Sequence, residues 1–293
     1  YRLCAAGLQG LEFITCSEIT TMEGSIREIA RGILALSSSP RELIARAQRF
    51  DWPLLDRAIE RQRSAWQRWQ PDTWTVGDFD RQPEVSVVVP LYGRTDLVEH
   101  QLIEFSKDSD FRQAAELIYV IDDPKILDHF SSLTGELYGR YGVPFRWIWG
   151  HENRGFAGAN NLGAEFARGQ CLLFMNSDVI PVAPGWVSKL KGALDSQPSL
   201  GAVGPRLLFA GGGIQHAGMR PVWNDRLGIW HNQHIMMGFD PALDPNSGLT
   251  EVPLVTGACV MLRRTDFDAI GGWDTGYLIG DYEDSELCMR LRD

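Results

Sequence analysis

The sequence contains no apolar run that approaches the roughly 18 residues needed to span a bilayer. Its first residues, Tyr1-Arg2-Leu3-Cys4, also lack the long apolar segment of a signal peptide. These absences predict a soluble, cytoplasmic chain without a transmembrane segment. Peripheral association with the inner face of a membrane stays open.

Positive charge is also scarce. The chain has 28 Lys and Arg residues against 38 Asp and Glu residues, which gives a formal net charge of -10 at pH 7. A protein that wraps nucleic acid needs basic surface, so this balance argues against nucleic acid as the partner. A local basic site is still compatible with it.

Cysteine is limited to five scattered residues, Cys4, Cys16, Cys171, Cys259 and Cys288. None of them has zinc-ligand spacing, and most stand in an apolar context. The pattern predicts buried thiols in a reducing compartment.

The chain divides near residue 80. A serine cap, a first-turn proline and a following glutamate predict a helix that begins at Pro40. Beyond Asp51-Trp52-Pro53, apolar residues at helical spacing predict a second helix: Leu54, Leu55, Ala58, Ile59, Trp66 and Trp69. Residues 71–83 are predicted to be a linker. Residues 1–80 are thus a predicted helical appendage without a catalytic constellation. Its tryptophan stripe is either a partner-binding face or a helix–helix seam.

Strands alternate with helices from residue 81 to residue 293. Buried strands are predicted at 85–90, 116–121, 145–149 and 171–175, and helices at about 95–107, 124–140 and 157–168. This order predicts an α/β domain with a mixed, mostly parallel sheet flanked by helices, and with ligands at the carboxyl ends of the strands. A dehydrogenase needs G-x-G-x-x-G after its first strand, but Pro90-Leu91-Tyr92-Gly93-Arg94-Thr95 stands there instead.

The most informative stretch runs from Glu152 to Gly163 and continues from Cys171 to Asp178. A turn-forming polar and glycine cluster leads into a helix, and then into an apolar strand that ends on oxygen-bearing side chains. Small residues allow a ligand to approach closely, Asn and Arg hydrogen-bond phosphate or sugar, and a carboxylate at a strand end can hold a divalent cation. The combination points to a nucleotide-sugar enzyme.

Six segments within residues 84–293 carry a family resemblance. They are Val85-Ser86-Val87-Val88-Val89-Pro90-Leu91-Tyr92-Gly93-Arg94, Val120-Ile121-Asp122-Asp123, Asn153-Arg154-Gly155-Phe156-Ala157-Gly158-Ala159-Asn160, Phe174-Met175-Asn176-Ser177-Asp178, Thr256-Gly257-Ala258-Cys259, and Gly271-Gly272-Trp273-Asp274 running to Tyr282-Glu283-Asp284-Ser285-Glu286-Leu287. In this order they resemble a family-2 glycosyltransferase of the Rossmann-like GT-A fold. The resemblance implies an inverting transfer of a sugar from a nucleotide-diphosphate sugar to an acceptor hydroxyl. It also implies a divalent metal, Mn²⁺ or Mg²⁺, on the diphosphate.

The resemblance assigns the nucleoside to the ends of the first two strands. Asp122 matches the position that hydrogen-bonds the base, and a carboxylate suits the imide N–H of uracil or thymine. The alternative for Asp122 is a capping residue in a strand-to-helix turn. Pro90, Tyr92 and Arg94 follow the first strand, where Tyr92 would stack on the base and Arg94 would reach phosphate.

The glycine-rich stretch is expected to lie beside the donor. It contributes Asn153, Arg154, Gly155 and Asn160, with Arg154 supplying positive charge in an acidic chain. The alternative is that the first three residues form only a turn and that Asn160 is only a cap.

Asn176-Ser177-Asp178 occupies the family's Asp-x-Asp position. Asn replaces the first acid, so Asp178 is the predicted metal ligand, and Asn176 would contact the ribose or the metal through its carbonyl. The alternative for Asp178 is an ordinary turn residue at a strand end.

A second acidic cluster, Asp281 to Glu286, opens a predicted helix. Asp284 is the predicted base that takes the acceptor proton, and Glu283 would orient it or bind the acceptor. Trp273 and Asp274 would form part of the acceptor wall, since aromatic faces suit sugar rings. The alternative is that the acids only cap the helix electrostatically.

Three histidines, His216, His231 and His234, are candidate metal ligands, although satisfied loop or core histidines are commoner. The family often has a metal-binding His beyond the acidic helix, and this sequence ends at Asp293, nine residues after Asp284. We therefore expect either a further C-terminal segment or a site that is completed differently.

Three classes of function stay open. The first is a metal-dependent glycosyltransferase that acts on a glycan or glycolipid acceptor in surface polysaccharide or glycolipid assembly. The second is a catalytically idle sugar-nucleotide-binding or scaffold module, which the Asn176 replacement keeps open. The third is a nucleotidyltransferase, which would need a Gly-rich basic loop after the first strand, where Leu91-Tyr92-Gly93 is a poor match.

Overall fold

The computed structural model describes residues 2–6, 12–15, 52–79, 81–226, 229–245, 248–277 and 282–292. Within these ranges the strands are β1 (Arg2–Ala6), β2 (Glu12–Thr15), β3 (Asp72–Val76), β4 (Val85–Leu91), β5 (Ala115–Ile121), β6 (Phe145–Trp149), β7 (Cys171–Met175), β8 (Val179–Pro181), β9 (Leu200–Phe209), β10 (Ile214–His216), β11 (Met219–Asn224), β12 (Ile229–His234), β13 (Leu249–Val252) and β14 (Cys259–Arg263). The helices are α1 (Trp52–Trp66), α2 (Asp96–Lys107), α3 (Ser109–Ala114), α4 (Leu127–Tyr141), α5 (Gly155–Phe166), α6 (Trp186–Asp195), α7 (Arg264–Ala269) and α8 (Glu283–Arg292).

The central sheet has the strand order β13-β1-β9-β14-β7-β4-β5-β6-β3. Its middle strands β7, β4, β5 and β6 are parallel neighbours, and β14 runs antiparallel to β7 on one side. The four strands predicted from apolar runs and the three predicted helices are confirmed, as is the mixed, mostly parallel sheet flanked by helices. Because the middle strands are parallel, their carboxyl ends meet at one edge of the sheet.

Two apolar layers cover the sheet. Along β4, Val87 and Val89 face the layer that contains α2, α4 and α6, whereas Val88 faces the layer that contains α5, α7 and α8. This alternation follows from the two-residue period of a strand that is buried on both faces. Gly163 lets α5 approach β4 closely, since a Cβ there would stand 2.3 Å from Val88 Cγ1.

The predicted linker at residues 71–83 is corrected by the structure, because it contains β3. This strand pairs antiparallel with β6, and Trp74 stacks on Trp147 with the ring centroids 3.8 Å apart. Three of its five residues, Thr73, Thr75 and Val76, are β-branched, and β-branched residues favour a strand. The prolines on both sides of the segment obscured that signal.

The predicted helical appendage also differs in its content from the structure. The second predicted helix is confirmed as α1, while the helix predicted from Pro40 lies outside the described residues. The strands β1 and β2, however, both pair with β9, so residues 1–80 contribute to the sheet. Such short strands without a clear alternation are formed by pairing, which local sequence does not show. A division near residue 80 stays a prediction.

The tryptophan stripe of α1 packs in part on the rest of the domain. Trp66 contacts α5, where a Cβ on Gly158 would stand 3.0 Å from the Trp66 ring. Trp69, beyond the end of the helix, is 58% exposed. A helix–helix seam therefore describes Trp66, while Trp69 lies at the surface.

Burial of cysteine agrees with the sequence-based expectation where side chains are described. Cys171, Cys259 and Cys288 are buried free thiols. None of the helices in the described ranges combines the length and apolar character that crossing a bilayer requires.

Candidate active site

The predicted nucleoside position lies where β4 and β5 end. The backbone N–H of Asp122, just after β5, donates to the carbonyl oxygen of Leu91 at the end of β4, at 2.9 Å. This bond holds Asp122 beside the segment that contains Tyr92 and Arg94. Pro90 itself is half-buried, whereas Tyr92 is 64% exposed at the open edge of the sheet.

Asp122 is a buried carboxylate that faces the start of α5. It is 5% exposed, and its Oδ1 accepts the backbone N–H of Arg154 at 2.6 Å. Burial raises the pKa of Asp122 to about 7, and the N–H groups of Arg154 and Gly155 oppose that rise. The local cap is instead Asp123, whose Oδ1 accepts the N–H of Lys125. The capping alternative therefore applies to Asp123.

The turn before α5 forms through Asn153, whose Oδ1 accepts the N–H of Gly155 at 2.9 Å. Gly155 has a φ of 66°, in the left-handed region that favours glycine. The turn alternative for this segment is thus realised, and it also presents the N–H of Arg154 to Asp122. A turn of this kind is compatible with the expectation that this segment lies beside a donor, because the turn stands at the carboxyl edge of the sheet.

The guanidinium of Arg154 points toward α1 in this structure, which corrects the expectation that it brings positive charge to the donor. It lies 5.6 Å from the Trp66 ring centroid, and its Nη2 donates to the carbonyl oxygens of Trp66 and Gly150. Burial lowers its pKa. The group of Arg154 that faces Asp122 is its backbone N–H.

Asn160 is completely buried in the middle of α5, so it is not a cap. Its Nδ2 donates to the carbonyl oxygen of Phe156 at 3.0 Å, four residues earlier. Within the described residues its Oδ1 has no hydrogen-bond partner. Asn160 thus bonds within its own helix, and its contact with a donor stays a prediction.

Arg94 forms a salt bridge with Asp96 near the carboxyl edge of the sheet. Its Nε and Nη2 donate to the two carboxylate oxygens of Asp96, at 2.8 and 2.5 Å. The pair is exposed, so it is worth little to stability and can exchange for another anion. Phosphate recognition by Arg94 would require that exchange.

The predicted metal-binding segment, residues 176–178, follows β7. Gln101, which the sequence analysis did not single out, hydrogen-bonds this segment. The backbone oxygen of Asn176 accepts from the N–H of Val179 and from Nε2 of the wholly buried Gln101. Gln101 also donates to the carbonyl oxygen of Val179 at 3.0 Å. A polar residue at a buried position of a helix is the signal that could have identified it. Asp178, half-buried, stands in the turn that Gln101 supports.

One loop connects the two acidic clusters. The N–H of Asn176 donates to the carbonyl oxygen of Ala258 at 2.9 Å, and the N–H of the adjacent Gly257 donates to Oδ2 of Asp284 at 3.1 Å. The loop of residues 256–258 precedes β14, which runs antiparallel to β7 and so starts at the same edge of the sheet. The structure therefore brings Asn176 and Asp284 into contact with adjacent residues of a single loop.

The acidic helix is both capped and tied to this loop. Asp284 is one of three acids in the first turn of α8, as the electrostatic alternative predicts, and its Oδ1 accepts the N–H of the next residue, Ser285, at 2.7 Å. The second oxygen, Oδ2, accepts the N–H of Gly257 in the loop. Glu283 is 9% exposed, so Asp284 is the more accessible of the two acids.

Trp273 belongs to the core, which corrects the prediction that its face lies open to an acceptor. It is 2% exposed, and its ring packs edge-on against Phe156 and Phe174 with centroids 5.3 Å apart in each case. Its neighbour Asp274 is partly exposed and accepts hydrogen bonds from the N–H of Gly276 and from Nη2 of Arg63.

Two of the three candidate histidines are in contact. Nδ1 of His216 lies 3.1 Å from Nδ1 of His234, and Nε2 of His216 accepts the N–H of Thr256 at 3.4 Å. Burial lowers the pKa of His216 well below its usual value. His216 is thus a satisfied core histidine, and His231 lies outside this pair.

A divalent cation fits the chemistry of the Asn176–Asp178 segment. Within the described residues no three His, Cys, Asp or Glu side chains form a metal-binding group. Mg²⁺ and similar hard cations, however, commonly use one or two protein carboxylates and take their remaining ligands from substrate phosphates and water. Asp178 and the amide oxygen of Asn176 are oxygen donors of the required type.

Comparisons with known proteins agree with this architecture. The family described as Glycosyl transferase family 2 matches residues 86–271. The O-antigen biosynthesis protein RfbC of Myxococcus xanthus is 31% identical over 213 residues, which cover 71% of this chain and 16% of that protein. The uncharacterized protein y4gI of Sinorhizobium fredii (strain NBRC 101917 / NGR234) is 31% identical over 141 residues, which cover 47% of this chain and 15% of that protein. The chain thus spans less than a fifth of the length of these two relatives.

A solved structure supports the fold. The crystal structure of GalNAc-T7 with UDP, GalNAc and Mn²⁺ aligns with a TM-score of 0.55 at 17% identity, covering 73% of this chain and 41% of that one. At this identity the similarity shows the fold alone, which is GT-A. With the family match over residues 86–271, it follows that the chain belongs to glycosyltransferase family 2.

Proposed function

We propose that this chain is the transfer domain of a metal-dependent, inverting glycosyltransferase. It would move a sugar from a nucleotide-diphosphate sugar to a hydroxyl of a glycan or glycolipid. The observation that carries the proposal is the loop of residues 256–258, in which Ala258 hydrogen-bonds Asn176 and Gly257 hydrogen-bonds Asp284. An inverting transfer needs a donor site and a base that face the same sugar carbon, and this loop joins candidates for both.

The donor half of the site would use the ends of β4, β5 and β7. Asp122 would accept the imide N–H of a uracil or thymine base, while the exposed ring of Tyr92 would cover the base. Asp178, with the amide oxygen of Asn176, would hold Mn²⁺ or Mg²⁺. When bound, the cation would neutralise charge on the departing diphosphate.

The acceptor half of the site would use the start of α8. Asp284 would remove the proton of the acceptor hydroxyl as that oxygen attacks the anomeric carbon from the side opposite the diphosphate. Attack from that side inverts the configuration. Glu283 would orient Asp284 or bind the acceptor, and Asp274, which is partly exposed, would contribute to the acceptor wall.

The relatives favour polysaccharide assembly as the setting. The Myxococcus xanthus relative is named for O-antigen biosynthesis, and the GalNAc-T7 structure was solved with UDP and Mn²⁺. A surface glycan or glycolipid acceptor, a uridine-type donor and peripheral contact with a membrane are accordingly part of the proposal.

A donor screen tests the proposal. The chain is incubated with UDP-, dTDP- and GDP-sugars, with MnCl₂ or EDTA, and the released nucleoside diphosphate is measured with and without a glycolipid extract as acceptor. We expect release that requires metal, rises with acceptor and favours UDP or dTDP donors. Metal-dependent binding without release under any of these conditions would favour the idle sugar-nucleotide-binding module instead.

Substitution of the acids separates binding from chemistry. Asp284→Asn keeps the shape of the side chain but removes its basicity, so kcat should fall by about 10²–10⁴ while donor affinity changes little. Glu283→Gln is the matched control, and Asp178→Ala should instead abolish metal-dependent donor binding in calorimetry. If Asp284→Asn turns over normally and Glu283→Gln does not, the base is Glu283. Normal turnover in both variants would mean that these acids only cap α8.

A further inference from the structure

The hydrogen bond between His216 and His234 defines the protonation state of both rings. Thr256 donates its N–H to Nε2 of His216, so this nitrogen carries the lone pair and the proton of the neutral ring is on Nδ1. That proton then points at Nδ1 of His234, 3.1 Å away. His234 must accept it, which leaves the proton of His234 on Nε2.

Two observations connect the histidine pair with the proposed base, Asp284. Thr256 and Gly257 are consecutive, and their N–H groups bind His216 and Asp284, respectively. In addition, burial lowers the pKa of His234, and the negative charge of Asp284 opposes that effect. Asp284 is therefore close enough to influence the charge of His234, and a charge on His234 would influence Asp284 equally.

Within the described residues, the ionisable groups that act on His234 include His216 and Asp284. His216 approaches from β10 and Asp284 from α8, while Met219 is the residue paired with His234 on β11. Arg220, next on β11, is engaged with Gln233. His231 lies on the other face of β12, because side chains alternate along a strand.

We propose that the His216–His234 hydrogen bond is a positioning device for the reaction base, which keeps His234 a neutral imidazole beside Asp284. Protonation of His234 would put a proton on Nδ1, where His216 already presents one. An imidazolium beside a carboxylate stabilises its ionised form and so weakens it as a base. His216 and His234 are therefore positioning residues that act through Asp284. The proposal rests on the proposed function only in its assignment of Asp284 as the base.

Two matched substitutions at His216 test this directly. Asn places its amide nitrogen near the position of Nδ1, so His216→Asn keeps the donor to His234 and loses the acceptor for Thr256. Gln places its amide oxygen near the position of Nε2, so His216→Gln keeps the acceptor for Thr256 and loses the donor to His234. Both variants replace the same buried ring by a neutral amide, so a merely structural role would affect them alike.

The first readout is independent of activity. Imidazole NMR of the full chain follows the titration of His234, with thermal unfolding recorded at each pH as a control for folding. In wild type and His216→Asn, His234 should titrate below the ordinary histidine value of about 6.5. In His216→Gln it should titrate at a higher pH than in wild type, because the donor that opposes protonation of Nδ1 is gone while the burial of the ring remains. The same titration of His234 in both variants would overturn the proposal, whatever the activity.

The second readout is the pH profile of sugar transfer. Relative to its rate at pH 8, His216→Gln should lose about tenfold more activity at pH 6 than wild type, because His234 becomes charged there. Adding His234→Asn should remove this extra acid-side loss, since no imidazole is left to protonate. An extra loss that persists in the double variant contradicts the proposal. Absence of transfer in wild type would instead count against the proposed function and leave the NMR result to decide on the histidine pair.

If either His216 variant does not fold, His234→Lys and His234→Gln serve the same purpose on a partly exposed strand. A fixed cation at this position should lower kcat at every pH relative to the neutral Gln variant, with KM for the donor little changed. Equal kcat values for the two variants would overturn the proposal.

Discussion

The hydrogen bonds that a residue makes in this part of the structure depend on its surroundings more than on its residue type. Asp122 and Asp123 are neighbours with the same side chain, yet one accepts from Arg154 across the sheet edge and the other caps a turn. Their sequence context alone left both roles open for Asp122. The difference arises because the turn before α5 presents its N–H groups to Asp122, and that turn lies more than thirty residues away along the chain.

The raised pKa of Asp122 predicts that donor binding depends on pH. With a pKa of about 7, the carboxyl group is mostly protonated at pH 6 and mostly ionised at pH 8. The ionised form is the better acceptor for an imide N–H. Affinity for UDP-glucose should therefore rise about tenfold from pH 6 to pH 8 and level off above that.

Calorimetry with UDP-glucose and MnCl₂ across this range measures the effect. Asp122→Asn is the matched control, because its amide has no proton to lose in the range, and its affinity should be lower and independent of pH. A pH dependence that is the same in wild type and Asp122→Asn would assign the titration to another group.

At the scale of elements, the helix α5 determines where the turn of residues 153–155 stands. Gly163 permits close contact of α5 with Val88 of β4, and Gly158 permits close contact with Trp66 of α1. These contacts position the first turn of α5 at the carboxyl edge of the sheet. The helix and the strands β4 to β7 were predictable, because their apolar periodicity is strong and local. By contrast, β1, β2 and β3 were not, since these short strands owe their structure to pairing with β9 and β6.

Gly163→Ala should destabilise the fold by about 1–3 kcal/mol. The added Cβ would stand 2.3 Å from Val88 Cγ1 and 3.0 Å from Val120 Cγ2, both wholly or almost wholly buried, so strands or helix must shift. The matched control is Gly135→Ala in α4, where a Cβ meets nothing within 4 Å. That change should stabilise by about 0.5–1 kcal/mol through helix propensity. Urea unfolding measures both; equal effects of the two substitutions would show that α5 does not pack on β4 as described.

On the scale of the whole molecule, the site is assembled from segments that the fold brings together over most of the chain. Asp122, Asn176 and Asp284 were candidates from the sequence because each matches a position of the family's motifs and stands after a predicted strand or at the start of a predicted helix. The connection between Asn176 and Asp284 was not identifiable, since it runs through the backbone of residues 256–258, and backbone hydrogen bonds have no residue signature. The open face assigned to Trp273 failed for a related reason. An aromatic residue that follows two glycines can point to solvent or to the core, and here Phe156 and Phe174 cover it.

A ligand that binds only the folded chain should stabilise the molecule as a whole, which gives a test of the assembled site that needs no acceptor. At a free concentration about 100 times its Kd, UDP with MnCl₂ should contribute about 2.7 kcal/mol. For a domain of this size that corresponds to a rise in Tm of about 5–10 °C.

EDTA and Asp178→Ala should each remove most of the rise, since both remove the cation from the diphosphate. Asp284→Asn should retain it, because the proposal gives Asp284 no contact with the nucleotide or the cation. GDP should give a smaller rise than UDP, because guanine does not offer Asp122 the same imide N–H at the same position. A rise that is equal for UDP and GDP and unaffected by EDTA would mean that nucleotide binds elsewhere on the domain, and the donor site at the ends of β4, β5 and β7 would have to be abandoned.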